Sequence, residues 1–423
     1  MITRKEKSKI LETHCLAFLL MFSFLSYFLN VLIQNCFKIP VSVSIVFYGL
    51  AMLIGVFSYY KVCTRGDVLS ILITILFVLG TVFFSLLNKD YVSLIYISFE
   101  KIAYSPALFL FFFCLPTLFF VLGCNVDYKK LFAYIIFYSR IILIIFLVAY
   151  VVFDFATSSP GGTYMSFSYN ALVATCACIL SKSDSKWKTI FDKLLGLLSC
   201  VIIFVAGARG CLVCLAGFFA ALFVTSRSIS FSKKVFIIIL VSIVGLIIII
   251  NFKSIIHSIY LFLSARDIHS RTLEKLMDSS FINGSDRFKL WGKVFDALKK
   301  SPVLGYGLWG DRPIVNGYSH NLFVELLCSF GYIFGTAIIL ALFFGILHLF
   351  IGCKRLELWV RNMFLIALTY GFFQLMVSDT YLVNIWFFAL FGLLIVFRHN
   401  RTENNVKPLS DENICRTELS YEK

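Results

Sequence analysis

Apolar residues occur along this chain in long runs that are separated by short charged segments. An α-helix needs about 20 apolar residues to cross the hydrocarbon core of a bilayer, and the runs are close to that length. They predict an all-α integral membrane protein with about 12 transmembrane helices. The first six predicted spans are residues 16–34, 40–60, 68–87, 103–123, 131–153 and 164–180. The other six are residues 190–206, 211–225, 235–251, 332–350, 360–378 and 381–397.

One long polar segment interrupts this pattern between the ninth and tenth spans. It divides the chain into an N-terminal transmembrane bundle of about nine spans (1–251), a large loop (252–319), about three C-terminal spans (320–398) and a tail (399–423). The tail is polar and mixed in charge, which is typical of disordered segments.

The composition and the distribution of charge predict how these helices are oriented in the membrane. Only 14% of the 423 residues are charged, which is too few to cover a water-soluble globule of this size. Lys and Arg occur in alternate short loops, so the positive-inside rule predicts that both termini are cytoplasmic and that the large loop is external. The net charge of +15 is therefore a topology signal, and the expected partner is the lipid bilayer, not nucleic acid. The 13 Cys include no pair of C-x-x-C clusters, which indicates helix packing instead of a zinc or disulfide framework.

Within the large loop, residues 286–300 predict an amphipathic helix that ends at Pro302. Arg287 lies four residues before Trp291 and therefore on the apolar face of this helix. A guanidinium on a packed face is unfavourable unless an anionic group meets it. Arg287 is therefore a candidate for binding an anion, with a structural ion pair as the alternative. The apolar stripe consists of Leu290, Trp291, Val294, Phe295 and Leu298.

Further candidates lie at the ends of the predicted spans. His320, where the chain re-enters the membrane, suits a general base, a hydroxyl-orienting group or a helix cap. Glu325, about one turn later, is either a base or a partner for His320 or for an arginine. Arg312 lies in a glycine-spaced turn, and Arg209 lies in a tight turn after the seventh span. Arg140, inside the fifth span, is either half of a buried ion pair or a site residue.

The spacing of these residues resembles a known family of membrane enzymes. The matching features are Ala208-Arg209-Gly210 between two spans, Asp286-Arg287 with Trp291, Pro302 with Gly305 and Gly307, and His320-Asn321 followed by Gly331 and Gly335. This combination resembles the O-antigen ligase and polymerase superfamily of bacterial envelope enzymes. The resemblance is strongest from Ser285 to Gly335, and elsewhere it rests on the number of spans and their topology.

The resemblance implies glycosyl transfer from an undecaprenyl-pyrophosphate-linked glycan on the periplasmic face of the inner membrane. It implies no nucleotide sugar, no cofactor and no metal. Because the chain has no external Asp-x-Asp cluster to hold Mg²⁺, guanidinium groups are expected to neutralise the pyrophosphate leaving group. The candidate donor-binding residues are Arg209, Arg287, Arg312 and Asn321, and the candidate catalytic residues are His320 and Glu325.

Two acceptors are compatible with this chemistry. A polymerase extends another lipid-linked repeat unit and works with a chain-length regulator, whereas a ligase transfers the glycan to lipid A-core. The ligase pattern has a second glycine three residues after the first, but Gly335 follows Gly331 by four. Gly310-Asp311-Arg312 shortly before Tyr318-Ser319-His320-Asn321 also resembles polymerases more closely, and the resemblance therefore favours the polymerase. A polysaccharide flippase or transporter is the alternative of a different class, and it predicts two related halves, which the sequence does not show. A non-enzymatic export subunit would need neither Arg287 nor His320.

Overall fold

The computed structural model describes residues 4–37, 127–152, 163–183, 185–206, 208–227, 229–230, 232–237, 252–265, 286–307, 310–353, 356–381 and 384–404. All regular elements in these ranges are helices. The first six are α1 (Arg4–Phe37), α2 (Tyr128–Val152), α3 (Thr163–Ile179), α4 (Lys186–Ala206), α5 (Arg209–Thr225) and α6 (Phe252–Ser264). The others are α7 (Asp286–Leu298), α8 (Asp311–Val315), α9 (Leu322–Gly352), α10 (Leu358–Leu368, continued by a π-helical turn at Thr369–Phe373 and by Gln374–Val377) and α11 (Ile385–Asn404).

The apolar helices confirm a multi-pass, all-α membrane protein. Within the described ranges, four helices are long and apolar enough to cross a membrane: Tyr128–Val152, Lys186–Ala206, Leu322–Gly352 and Leu358–Val377. Shorter apolar helices cover Leu20–Leu29, Met165–Ile179, Arg209–Thr225 and Ile385–Leu394. The spans predicted at 40–60, 68–87 and 103–123, and most of the span predicted at 235–251, lie outside the described residues.

The core of the helix bundle forms where α1, α2 and α3 pack together. The rings of Phe28 and Phe146 lie 5.7 Å apart, and Phe167 lies 4.6 Å from Phe146. Helix α3 supplies small buried side chains, among them Ala174 and Cys178, that let neighbouring helices approach closely. The predicted use of cysteine for helix packing agrees with the burial of Cys178.

Helices α9 and α10 differ in how much of their surface is buried by other parts of the protein. Helix α10 is mostly buried, and its π-helical turn places Gly371 so close to α11 that a Cβ would lie 2.4 Å from the Trp386 carbonyl oxygen. Helix α9 is mostly exposed along its apolar length, as expected for a lipid-facing helix. It is also kinked at Gly331, whose φ of 73° is far from helical.

Arg140 forms an ion pair inside the bundle. Its Nε and Nη2 donate to the two carboxylate oxygens of Asp192 at 2.6 and 2.9 Å. Asp192 is buried and also accepts a hydrogen bond from the Ser181 hydroxyl at 2.5 Å. Asp192 lies near the start of α4, whereas Arg209 follows the end of the same helix. Of the two roles considered for Arg140, the structure supports the buried ion pair.

Candidate functional site

The helix predicted in the large loop forms as α7 and packs on the start of α9. Val294 and Leu298 are buried against Val324 and Cys328. The indole N–H of Trp291 donates to the Ser319 carbonyl oxygen at 2.8 Å, which ties α7 to the segment that precedes α9. The helix ends at Leu298, slightly earlier than predicted.

Two glycines hold the turn after α7 against the kink in α9. The backbone N–H of Tyr306 donates to the Cys328 carbonyl at 2.8 Å, and that of Tyr332 donates to the Pro302 carbonyl at 2.7 Å. A Cβ on Gly305 would lie 2.4 Å from the backbone nitrogen of Gly331, so neither position has room for a side chain. Both glycines have positive φ, which other residues rarely adopt. We call this contact between Gly305 and Gly331 the glycine clamp.

Replacement of Gly331 by Ala is expected to lower the unfolding temperature of the protein purified in detergent. The new Cβ would lie 2.3 Å from the Val303 carbonyl oxygen, and the backbone conformation is strained for alanine. Overpacking and strain together should cost about 2–4 kcal/mol. Gly292→Ala in α7 is the matched control, because nothing lies within 4 Å of its Cβ position and alanine is the better helix former. Equal unfolding temperatures for the two variants would contradict a rigid clamp.

A buried charge network lies beneath the loop. Arg312 Nη1 donates to Asp311 Oδ2 at 2.8 Å, and Arg312 Nη2 lies 3.7 Å from Glu325 Oε1. Asp311 and Glu325 are each only 1% exposed. The backbone N–H of Ser319 donates to Asp311 Oδ2 at 2.9 Å. Burial raises the pKa of Asp311, and the adjacent Arg312 charge opposes that rise.

The segment after α10 completes the network around Glu325. The Thr380 hydroxyl donates to Glu325 Oε1, and the backbone N–H of Tyr381 donates to Oε2 at 3.3 Å. Glu325 is therefore the partner of an arginine, one of the alternatives that the sequence allowed. Arg312 is directed at carboxylates inside the protein, and its role in donor binding stays a prediction.

His320 lies between this network and the start of α9. The ring centroid of His320 is 3.9 Å from that of Tyr318. The guanidinium of Arg312 lies over the Tyr318 ring, 5.4 Å from its centroid. Burial first, and then the charges of Arg287 and Arg312, lower the pKa of His320 to about 4. The imidazole is therefore neutral near pH 7 and able to accept a proton.

Asn321, and not His320, caps helix α9. Its side-chain oxygen accepts hydrogen bonds from the backbone N–H groups of Phe323 and Val324 at 3.0 and 3.2 Å. Its amide nitrogen donates to the Met376 carbonyl at 3.1 Å, which fixes the start of α9 against the end of α10. These contacts give Asn321 a structural task, and its predicted role in donor binding is untested.

Tyr169 lies beside the start of α5, next to one of the predicted arginines. The positive charge of Arg287 acts both on Tyr169 and on His320. A Cβ on Gly210 would lie 1.9 Å from the Tyr169 hydroxyl, which places the start of α5 directly against this residue. Arg209, next to Gly210, is exposed there.

The same tyrosine reaches the chain after α10, because its hydroxyl shares a hydrogen bond with the Ser378 side chain. The start of α5, which carries Arg209, and Ser378 after α10 thus both adjoin Tyr169, while Arg312 and Glu325 belong to the charge network. Neither Tyr169 nor Asp311 was among the site residues predicted from the sequence. A signal was present for Tyr169, because Ser166, Ser168 and Asn170 surround it at the start of an otherwise apolar span.

One comparison with known proteins bears on this site. Residues 194–340 match the family model described as O-antigen ligase. The matched segment runs from α4 into α9 and contains Arg209, Arg287, Arg312 and His320. No curated protein matches the chain.

Proposed function

Because residues 194–340 match the family model described as O-antigen ligase, we propose that the chain is a glycosyltransferase of the O-antigen ligase and polymerase superfamily that polymerises lipid-linked O-antigen repeat units. The donor in this proposal is an undecaprenyl-pyrophosphate-linked oligosaccharide, bound at the periplasmic face of the bacterial inner membrane. The acceptor is a second lipid-linked repeat unit.

The positive charge of Arg287, which acts on the partly buried and neutral His320, is the observation that carries this proposal. Transfer breaks the bond between the anomeric carbon and the pyrophosphate, so negative charge develops on the leaving group. In this proposal, the guanidiniums of Arg287 and Arg209 stabilise that charge through bidentate hydrogen bonds. Neutral His320 takes the proton of the acceptor hydroxyl as its oxygen attacks from the opposite face, which inverts the anomeric centre.

Other features of the site are compatible with glycosyl transfer but take no direct part in the reaction. Arg312, which belongs to the network with Asp311 and Glu325, also lies over the ring of Tyr318, the neighbour of His320. Among the described residues there is no group of three or more His, Cys, Asp or Glu side chains placed to hold a metal ion.

An O-antigen ligase is the second candidate, because the matched family carries that description. The late position of Gly335 is the observation that favours the polymerase. An assay with purified protein and purified lipid-linked repeat units decides between them. Elongation of the lipid-linked glycan without lipid A-core supports the polymerase, and product formed only when lipid A-core is added supports the ligase. Absence of both products would overturn the proposal.

The orientation of the chain is testable by labelling engineered cysteines with a membrane-impermeant thiol reagent. We expect cysteines at positions 186 and 233 to react only from the cytoplasmic side, and cysteines at 275 and 293 only from the periplasmic side. Helix α4 supports this arrangement, because its 21 residues separate Lys186 from Arg209 by about 30 Å. Labelling of positions 186 and 293 from the same side would contradict the proposed topology.

A further inference from the structure

Helix α7 has three faces of different character. The buried side chains of Val294 and Leu298 contact α9. Phe288 and Phe295 are two turns apart and lie along an edge beside that packed face. Phe288 is 64% exposed, and Phe295 is exposed as well. The third face carries the exposed residues Lys289, Lys293 and Asp296, and Lys299 and Lys300 are exposed directly after the helix.

The edge formed by Phe288 and Phe295, which we call the phenylalanine edge, is unfavourable in contact with water. Burying one such ring is worth about 1.5–3 kcal/mol, so two exposed rings on one edge indicate a surface that has an apolar partner. The ring of Phe288 meets that of Trp291 edge-to-face at a centroid distance of 5.1 Å.

This edge is continuous with the surface of α9 that faces lipid. The turn after α7 exposes Val303 and Leu304, and the hydrogen bond between Tyr332 and Pro302 places that turn beside the kink of α9. Directly beyond the kink, Ile333 is 61% exposed on a helix apolar enough to cross a membrane. The exposed apolar residues of α7, of the turn and of α9 therefore form one strip.

We propose that α7 is an interfacial helix that lies on the bilayer with this strip immersed in the acyl region. Continuity with α9 identifies the partner as membrane lipid, and the lysine face on the other side of the helix suits anionic headgroups and water. Arg287, one residue before Phe288, then lies at the depth of the lipid phosphates. The proposal does not depend on glycosyl transfer, because it concerns the position of α7 in the membrane.

Photo-crosslinking to lipid tests the proposal. A benzophenone amino acid replaces Phe288 or Phe295 in the full-length protein, which is placed in nanodiscs of phosphatidylethanolamine and phosphatidylglycerol with radiolabelled acyl chains. We expect strong lipid labelling at both positions and several-fold weaker labelling at position 293, which is the matched control on the lysine face. The assay needs no glycan donor, so an inactive glycosyl-transfer assay leaves its result unaffected.

Two outcomes would overturn the proposal. Equal lipid labelling at positions 288 and 293 would mean that the phenylalanine edge and the lysine face lie at the same depth in the membrane. Crosslinks from positions 288 and 295 to protein, within the chain or to a second copy, would mean that protein covers the strip. If the variant at 288 is not recovered as a single folded species, positions 295 and 303 test the same strip.

Discussion

Substitution of His320 by Ala is expected to slow glycosyl transfer by about 10²- to 10⁴-fold, the usual contribution of a positioned general base. The imidazole is kept neutral by burial and by the nearby arginines, and it is held by Tyr318. Donor binding should be largely retained, because the guanidinium groups are unchanged. The measurement is turnover per folded protein with purified lipid-linked donor and acceptor.

The backbone at His320 provides the control for this experiment. Its φ of 55° lies in the left-handed region, where Asn is tolerated better than Ala. His320→Asn therefore keeps the local conformation and removes the proton acceptor, and it should be as slow as His320→Ala. Full turnover by His320→Asn would remove His320 as the base.

The same role predicts the pH dependence of transfer. Because the pKa of His320 is lowered to about 4, the base form predominates in the free enzyme above that pH. The value of kcat/KM should therefore stay level from neutral pH down to about pH 5 and fall as the pH approaches 4. A fall that began near pH 6.5 would instead indicate a solvent-exposed histidine.

Arg287→Lys is expected to reduce turnover by about ten- to a hundred-fold although the positive charge remains. A compact ammonium cannot form the bidentate contact of a guanidinium with phosphate, and losing one charge-assisted hydrogen bond costs about 1.5–3 kcal/mol. The loss should occur mainly in kcat, because charge on the leaving group develops in the transition state. Near-normal turnover at equal protein yield would leave Arg287 with a structural role only.

Two further variants separate a site residue from a general effect of charge. Lys293→Ala removes a cation from the other side of the same helix and should leave turnover unchanged. Arg287→Gln removes the charge that helps to lower the pKa of His320, so the acidic limb of the kcat/KM profile should move to higher pH. An Arg287 whose charge does not act on His320 would leave that limb in place.

Much of the fold was predictable because a membrane helix is encoded locally. The span predicted at 131–153 is observed as Tyr128–Val152, and the span predicted at 360–378 is observed as Leu358–Val377. Features that depend on tertiary contacts were not predictable in this way. The π-helical turn at Thr369–Phe373 lies where Gly371 meets Trp386, and no pattern along the sequence marks it.

The candidate site was predictable to a similar extent. The position of Arg287 on the apolar face follows from helical spacing alone, and the structure leaves this residue half-buried near His320. The partners of Glu325 could not be derived, because Thr380 is 55 residues away in the sequence. Tyr169 was missed for the same reason, since its neighbours come from distant helices.

The glycine clamp and the charge network determine which segments of this chain can be exchanged with those of a related protein in a chimaera. A graft exchanged at the ends of the large loop would separate Gly305 from Gly331 and place Glu325 opposite a foreign residue. Leaving that carboxylate buried without Arg312 would cost about 3–5 kcal/mol. A workable transplant therefore carries residues 286–332 as one piece, together with the short segment 378–381 that accommodates Glu325.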